Sequence, residues 1–200
     1  GNTVISNGEY FILDGSNISC IGNIETLLDY ATVKLGNHPI MANNCYEKMF
    51  YGCAGLTQAP ELPATTLTES CYKNMFAGCT NLIKAPELPA TTLVSSCYNS
   101  MFYYCASLTK APKLLATTLA NNCCYNMFYN CTSLIQAPEL PATTLTDYCY
   151  TYMFYGCSSL TQTPELPATT LAGACYADMF HNCTYLVQAP ELPATTLASS

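Results

Sequence analysis

The chain has 200 residues, half of them hydrophobic and only 10% charged, well below the usual quarter for soluble domains. Its net charge of −7 includes six Lys and no Arg, so it lacks the clustered cations that nucleic acid or an anionic lipid surface requires. No run approaches the ~18 apolar residues of a spanning helix, so neither nucleic-acid binding nor membrane insertion is expected.

Residues 1–40 differ from everything that follows and are read as an N-terminal cap. The sequence starts at Gly1 with neither an initiator Met nor a signal peptide, which decides nothing about processing. Tyr10-Phe11-Ile12-Leu13 before Asp14-Gly15 predicts a strand running into a turn. Asn23 to Tyr30 predicts a short helix with Asn23 as N-cap and Ile24, Leu27 and Leu28 on one face. Met41 lies 26 residues before Leu67, so the register of a repeat array already starts there.

From residue 41 to 200 the chain repeats itself. Cys45, Cys71, Cys97, Cys123, Cys149 and Cys175 are each 26 apart, as are Cys53, Cys79, Cys105, Cys131, Cys157 and Cys183. A Met-Phe pair falls between them, from Met49-Phe50 to Met179-Phe180. Leu56, Leu62 and Leu67 begin three Leu columns. The unit reads C-Y-x-x-M-F-x-x-C-x-x-L-x-x-A-P-E-L-P-A-T-T-L-x-x-x, in six copies. The third copy carries Lys113 for Glu and Leu115 for Pro, the fourth Cys124 for Tyr, and the fifth Thr163 for Ala. The last copy stops where another Cys-Tyr would begin, which predicts a fragment or an end covered by another chain.

A period of 20 to 30 residues with Leu columns points to an α/β repeat solenoid of the leucine-rich-repeat type, right-handed, in which neighbours stack to bury one continuous core. Leu56-Thr57-Gln58-Ala59 is the expected strand, pairing in parallel with its copies about 4.8 Å apart and ended by Pro60. Tyr46 to Cys53 is the expected helical or 3-10 side, because Cys45, Met49/Phe50 and Cys53 recur at helical spacing. Pro63-Ala64-Thr65-Thr66 turns the chain back.

Phe50-x-x-Cys53-x-x-Leu56 and Leu62-Pro63 follow the order of inward Phe, Cys, Leu and Leu-Pro in the BspA-like, or Treponema-type, bacterial surface leucine-rich repeats, which residues 41–200 resemble. The unit is longer here, has Cys-Tyr in place of Ile-Gly, and inserts Ala-Thr-Thr. The resemblance implies an extracellular or cell-surface protein concerned with adhesion. Its expected partners are protein or glycan on host or neighbouring cells. The alternative is a structural subunit of a surface fibre, associating end to end.

Three readings compete for the cysteines. Strict periodicity with the Leu and Phe columns favours buried thiols. Disulfides need Cα atoms within about 7 Å, and a zinc site lacks its paired C-x₂-C ligands. A nucleophile pair of His181 and Cys183 is disfavoured, since Cys183 belongs to a core column. No catalytic motif is present, and near-identical repeats do not bring unlike groups together once. No catalytic residue, metal site or cofactor is therefore expected.

Repeats turn single side chains into ladders. Gln58, Lys84, Lys110, Gln136, Gln162 and Gln188 face outward from the expected strand, followed by Glu61 and its copies. This is either a solvated face or a ligand surface. Tyr46, Tyr72, Tyr98, Tyr150 and Tyr176 form a column that is either a binding surface or packing between repeats. Tyr51, Tyr103, Tyr129 and Tyr155 form a partial one. Asn17, in Asn17-Ile18-Ser19, and the hydroxyls of Thr65 and Thr66 are candidate glycosylation sites. Asn130 and Asn182 fit the same pattern beside core cysteines.

Overall fold

A computed structural model describes residues 10–13 and 15–197. The 26-residue units stack as rungs of a repeat solenoid. Successive strand-side residues pair in parallel, Gln58 with Lys84, then Lys110, Gln136 and Gln162. The regular elements are short: β1 (Ile18–Ser19), α1 (Thr26–Lys34), β2 (Leu56–Gln58), β3 (Thr170–Leu171) and β4 (Thr196–Leu197). Strand β1 pairs with β2, and β3 with β4, both in parallel. Strands stay this short because Pro60 and its copies have no N–H to donate.

The opposite side is not helical, contrary to the expectation from spacing. Residues 45–53 form a ribbon of overlapping turns with a period of four. Glu47, Met49, Tyr51 and Cys53 each donate their N–H to the carbonyl three residues back. The intervening N–H groups leave the rung altogether: those of Tyr46, Lys48, Phe50 and Gly52 donate to Cys71, Lys73, Met75 and Ala77 of the next unit, at 2.7 to 3.0 Å. An α-helix spends every interior N–H within itself. This ribbon divides its donors, so half of them tie neighbouring rungs together.

The division requires a left-handed residue at every fourth position. Asn44, Lys48 and Gly52 have φ of 59°, 59° and 72°, and the pattern recurs through Ala174, Asp178 and Asn182. Lys48 and Gly52 are the third residues of their turns, where a type II turn needs positive φ. Asn, Gly and Asp tolerate that region. Tyr104, Tyr148, Tyr152 and Ala174 also occupy it, at about 1–2 kcal/mol each for a side chain with an ordinary Cβ.

The core fills the space between turn ribbon and strands. Cys45, Tyr46, Met49, Phe50, Cys53 and Leu56 are all buried, and so are most of their copies. The phenylalanines form one continuous stack from Phe50 to Phe180, with centroids 5.5 to 5.7 Å apart. The second cysteine column also bonds the rungs: Cys79, Cys105, Cys131, Cys157 and Cys183 donate their thiols to the Phe carbonyl 29 residues earlier, at 3.0 to 3.1 Å.

The first rung is covered by Phe11, which imitates a repeat phenylalanine. Its N–H donates to the Met49 carbonyl (2.9 Å), its carbonyl accepts the Cys53 thiol (3.2 Å), and its ring lies 5.7 Å from Phe50. Residues 10–13 thus lie across the turn ribbon rather than in the expected strand, and Asp14 falls outside the described residues. The helix begins at Thr26, three residues later than expected, and its backbone breaks at Asp29 (φ −155°, ψ 94°). Asn23 does cap a turn there, accepting the Glu25 N–H through Oδ1 at 2.8 Å. Ile24 and Leu28 are buried, while Leu27 is exposed.

Candidate functional site

The structure separates the candidate residues by their place in the rung. Gln58, Lys84, Lys110, Gln136, Gln162 and Gln188 are all exposed, and the first five pair directly with their neighbours. They form one polar row on the strand side. Glu61, Glu87, Lys113, Glu139, Glu165 and Glu191 are exposed beside it. Between the first two rungs the row borders a hollow of about 330 Å³ lined by Gln58, Pro60, Glu61, Lys84 and Pro86. Asn17, Thr65 and Thr66 are exposed as well.

The tyrosine column Tyr46, Tyr72, Tyr98, Tyr150 and Tyr176, a candidate binding surface from sequence, is packing between repeats instead. The first four are buried, with at most 2% exposure, and Tyr176 is half-buried. Their rings stack inside the core, Tyr46 on Tyr72 at 5.5 Å and Tyr72 on Tyr98 at 6.1 Å, and offer no face to a ligand. Burial pushes their phenols above the ordinary range. The four-residue period is the physical reason. It turns two consecutive residues inward per turn, Cys45 with Tyr46 and Met49 with Phe50, whereas a helix would swing the second away.

The structure holds all fourteen cysteines as free thiols, thirteen buried and Cys20 half-buried. Desolvation raises Cys71 and Cys149 to about 12 and Cys183 to about 11. Cys97, Cys105, Cys131 and Cys157 are driven up by the same cause. At Cys123 and Cys124 a shared hydrogen bond lowers the first and raises the second. Reactivity belongs to thiolate. Brief alkylation of the native chain at neutral pH is therefore expected to label Cys20 first and leave the thirteen buried thiols unmodified, while denaturant exposes all fourteen. Labelling of several column cysteines in the native state would show by mass that the columns open to solvent.

Among the described residues neither histidine is paired with a nucleophile. His38 Nδ1 lies 2.7 Å from Oε2 of Glu25, a carboxylate that is itself buried. The His181 ring stacks on Tyr155 at 4.8 Å. Nearby Cys183 is buried and donates to the Phe154 carbonyl instead. Among the described residues no cluster of His, Cys, Asp and Glu is arranged for a metal ion. Among them too, no helix is long and apolar enough to cross a membrane.

The partial tyrosine column lies on the turn ribbon, where Tyr125 and Tyr152, which belong to no tyrosine column, join it. On the turn ribbon of the third to sixth units, Tyr103, Tyr129, Tyr155 and His181 stack in file, with centroids 4.6 to 4.9 Å apart. Tyr125 and Tyr152 meet edge to face at 5.8 Å, and Tyr152 stands at 72° to Tyr155. Desolvation holds Tyr103, Tyr125 and Tyr129 above the ordinary phenol range. With Asn126 and Asp178, these rings line a shallow depression of about 500 Å³.

Residues 112–190 match the family model for the BspA type leucine rich repeat region, in six copies. No curated protein and no solved structure matches the chain. The matched units share their rung with those before them: the same Phe stack, thiol ladder and strand-side pairings run from Phe50 onward. Residues 112–190 thus carry a BspA type leucine rich repeat region, built on the same rung as the units before it.

Proposed function

We propose that the chain is a non-catalytic binding or adhesion module, displayed outside the cell, that recognises protein or glycan through its repeat surface. One observation carries the reading. Most unvarying residues of each unit are spent on the core and on bonds between rungs, while the polar row from Gln58 to Gln188 is exposed, its first five members paired from rung to rung. A row of this kind extends one partner contact over many rungs, as solenoid surfaces do. The family supports the reading, since these repeats serve as surface interaction modules. We read residues 1–40 as the cap of a right-handed array and residues 41–200 as the array itself. Asn17, Thr65 and Thr66 would be the glycosylated positions where the machinery exists.

The row is neutral except in its middle, where Lys84 and Lys110 are adjacent rungs near Lys113. An acidic segment of a protein partner would seat there. Immobilised extracellular-matrix proteins and a glycan array, probed with the purified chain, test the proposal. Saturable binding to at least one matrix protein is expected. The double variant Lys84→Glu, Lys110→Glu should weaken it at least tenfold with unchanged melting. Absence of binding to every matrix protein and glycan tested would sink the proposal.

A further inference from the structure

The aromatic depression on the turn ribbon lies away from the strand-side row. It is also where the units cease to be alike. In the first two units the corresponding positions of the ribbon are Glu47, Lys48, Tyr51 and Gly52, then Lys73, Asn74, Ala77 and Gly78. In the next units these positions become Tyr103 and Tyr104, Tyr125 and Tyr129, then Tyr152 and Tyr155. Repeats preserve what stacking demands, so a local change that stacking does not demand calls for another cause.

Tyr104 and Tyr152 hold φ of 58° and 54°, at positions where other units place Gly52, Gly78, Asn74 or Asn126. Asn or Gly would satisfy the turn with less strain. Instead the strained residue supplies a ring, and the ring joins the cluster: Tyr104 lies 4.6 Å from Tyr103, and Tyr152 lies 5.8 Å from Tyr125. Tyr152 lines the hollow and Tyr104 packs on the lining ring of Tyr103, and strained residues cluster at ligand sites.

We propose that this depression binds a neutral glycan chain laid along the axis of the solenoid. Its chemistry suits a pyranose, which has hydroxyls to hydrogen-bond phenols, an amide and a carboxylate, and C–H groups to pack on the ring edges between them. Tyr129 and Tyr155 are stacked on both faces, so they present their edges and phenol oxygens outward in a row. Asn126 and Asp178 add amide and carboxylate partners, and Asp178 is the only acid or base of fixed charge in the lining. No Lys stands there and the chain has no Arg, which disfavours an anionic glycan. The hollow of about 500 Å³ has the size of a small-ligand site, whereas a stable protein interface needs about 800 Å² from each partner.

This inference rests on the reading of the chain as a binding module, but the two fail separately. The probes are four neutral polysaccharides, mannan, mixed-linkage β-glucan, xylan and amylopectin, cast in native gels. Binding is confirmed in solution by the intrinsic fluorescence of tyrosine, since the chain has 16 Tyr and no Trp. At least one polysaccharide should retard the chain, and Tyr129→Ala and Tyr152→Asn should each weaken that binding at least tenfold. Tyr51→Ala, at the equivalent position of the first unit, should leave it unchanged. Tyr152→Asn should also melt higher, by about 2–4 °C, so its loss of binding is not a loss of fold. The inference is overturned if a folded wild-type chain binds none of the four, or if Tyr152→Asn binds as well as wild type. It is overturned equally if the tyrosine variants lose a matrix protein and no sugar. Loss of matrix-protein binding in the Lys84, Lys110 double variant bears only on the strand-side row.

Discussion

Between about pH 8 and about pH 10, in reducing buffer, the chain is expected to unfold. The ordinary pKa of a thiol is about 8.5, and this is the value the cysteines take once the chain opens. In the native state Cys71 is held at about 12, and Cys97, Cys105, Cys131 and Cys157 well above the ordinary value, because burial penalises the thiolate. The sign follows from proton binding. Below about pH 8.5 both states keep these protons, and the thiols' contribution to stability is fully present. Above it the unfolded chain releases protons that the folded chain retains, so stability falls as pH rises toward the native values. Each such thiol costs about 1.4 kcal/mol per pH unit. These five alone lose about 7 kcal/mol per unit, against a typical total stability of 5–15 kcal/mol. The transition is followed by tyrosine fluorescence together with the ultraviolet absorbance of thiolate. Thiolate should appear with unfolding, not before it. Cys131→Ala removes one titrating group, so its alkaline limb should be shallower by about 1.4 kcal/mol per pH unit. A chain that stays folded at about pH 10.5, or that ionises several thiols while folded, would mean that the columns reach water.

The 26-residue period made much of this architecture legible. Leu56 and its copies identify the buried edge of each strand, and Gln58 with its copies identifies the outward row, because in-register stacking maps identical sequence positions onto identical places. The burial of the cysteines was legible for the same reason. The turn ribbon was not. Cys45, Met49 and Cys53 lie four apart, close enough to a helical period to suggest one. The distinguishing sign was a second period of four in Asn44, Lys48 and Gly52, or Asn122, Asn126 and Asn130, residue types mostly suited to positive φ. That sign turns Tyr46 inward beside Cys45 and places the accessible rings elsewhere on the ribbon. The aromatic depression is harder to see in sequence. Tyr125 and Tyr152 occupy different positions of their units, so no column contains them both. Only the offset between adjacent rungs brings those rings within 5.8 Å.

Replacing Phe102 by Ala is expected to cost about 3–5 kcal/mol, as for any ring stacked between two others in the array. Its ring is fully buried between Phe76, 5.6 Å away and 7° from parallel, and Phe128, 5.5 Å away and 4° from parallel. In a stack of rungs, stability is a sum of unit terms and nearest-neighbour interfaces, and a central ring belongs to two interfaces at once. Its backbone bonds do not depend on the ring. The Phe102 N–H still donates to Met127, and its carbonyl still accepts the Cys131 thiol at 3.0 Å. The loss is therefore of packing alone, a cavity between two aromatic faces that the backbone ladder keeps from collapsing. Phe102→Leu refills most of that space and should cost well under half as much. Phe180 is half-buried and touches one ring of the stack, Phe154, so Phe180→Ala should cost no more than about half of the central value. Urea unfolding of the three variants, compared at fixed m-value, measures the differences directly. Equal losses at positions 102 and 180 would contradict the two-interface account. A loss below about 1 kcal/mol at 102 would show that the hydrogen-bonded ribbon, and not the aromatic stack, carries the rung.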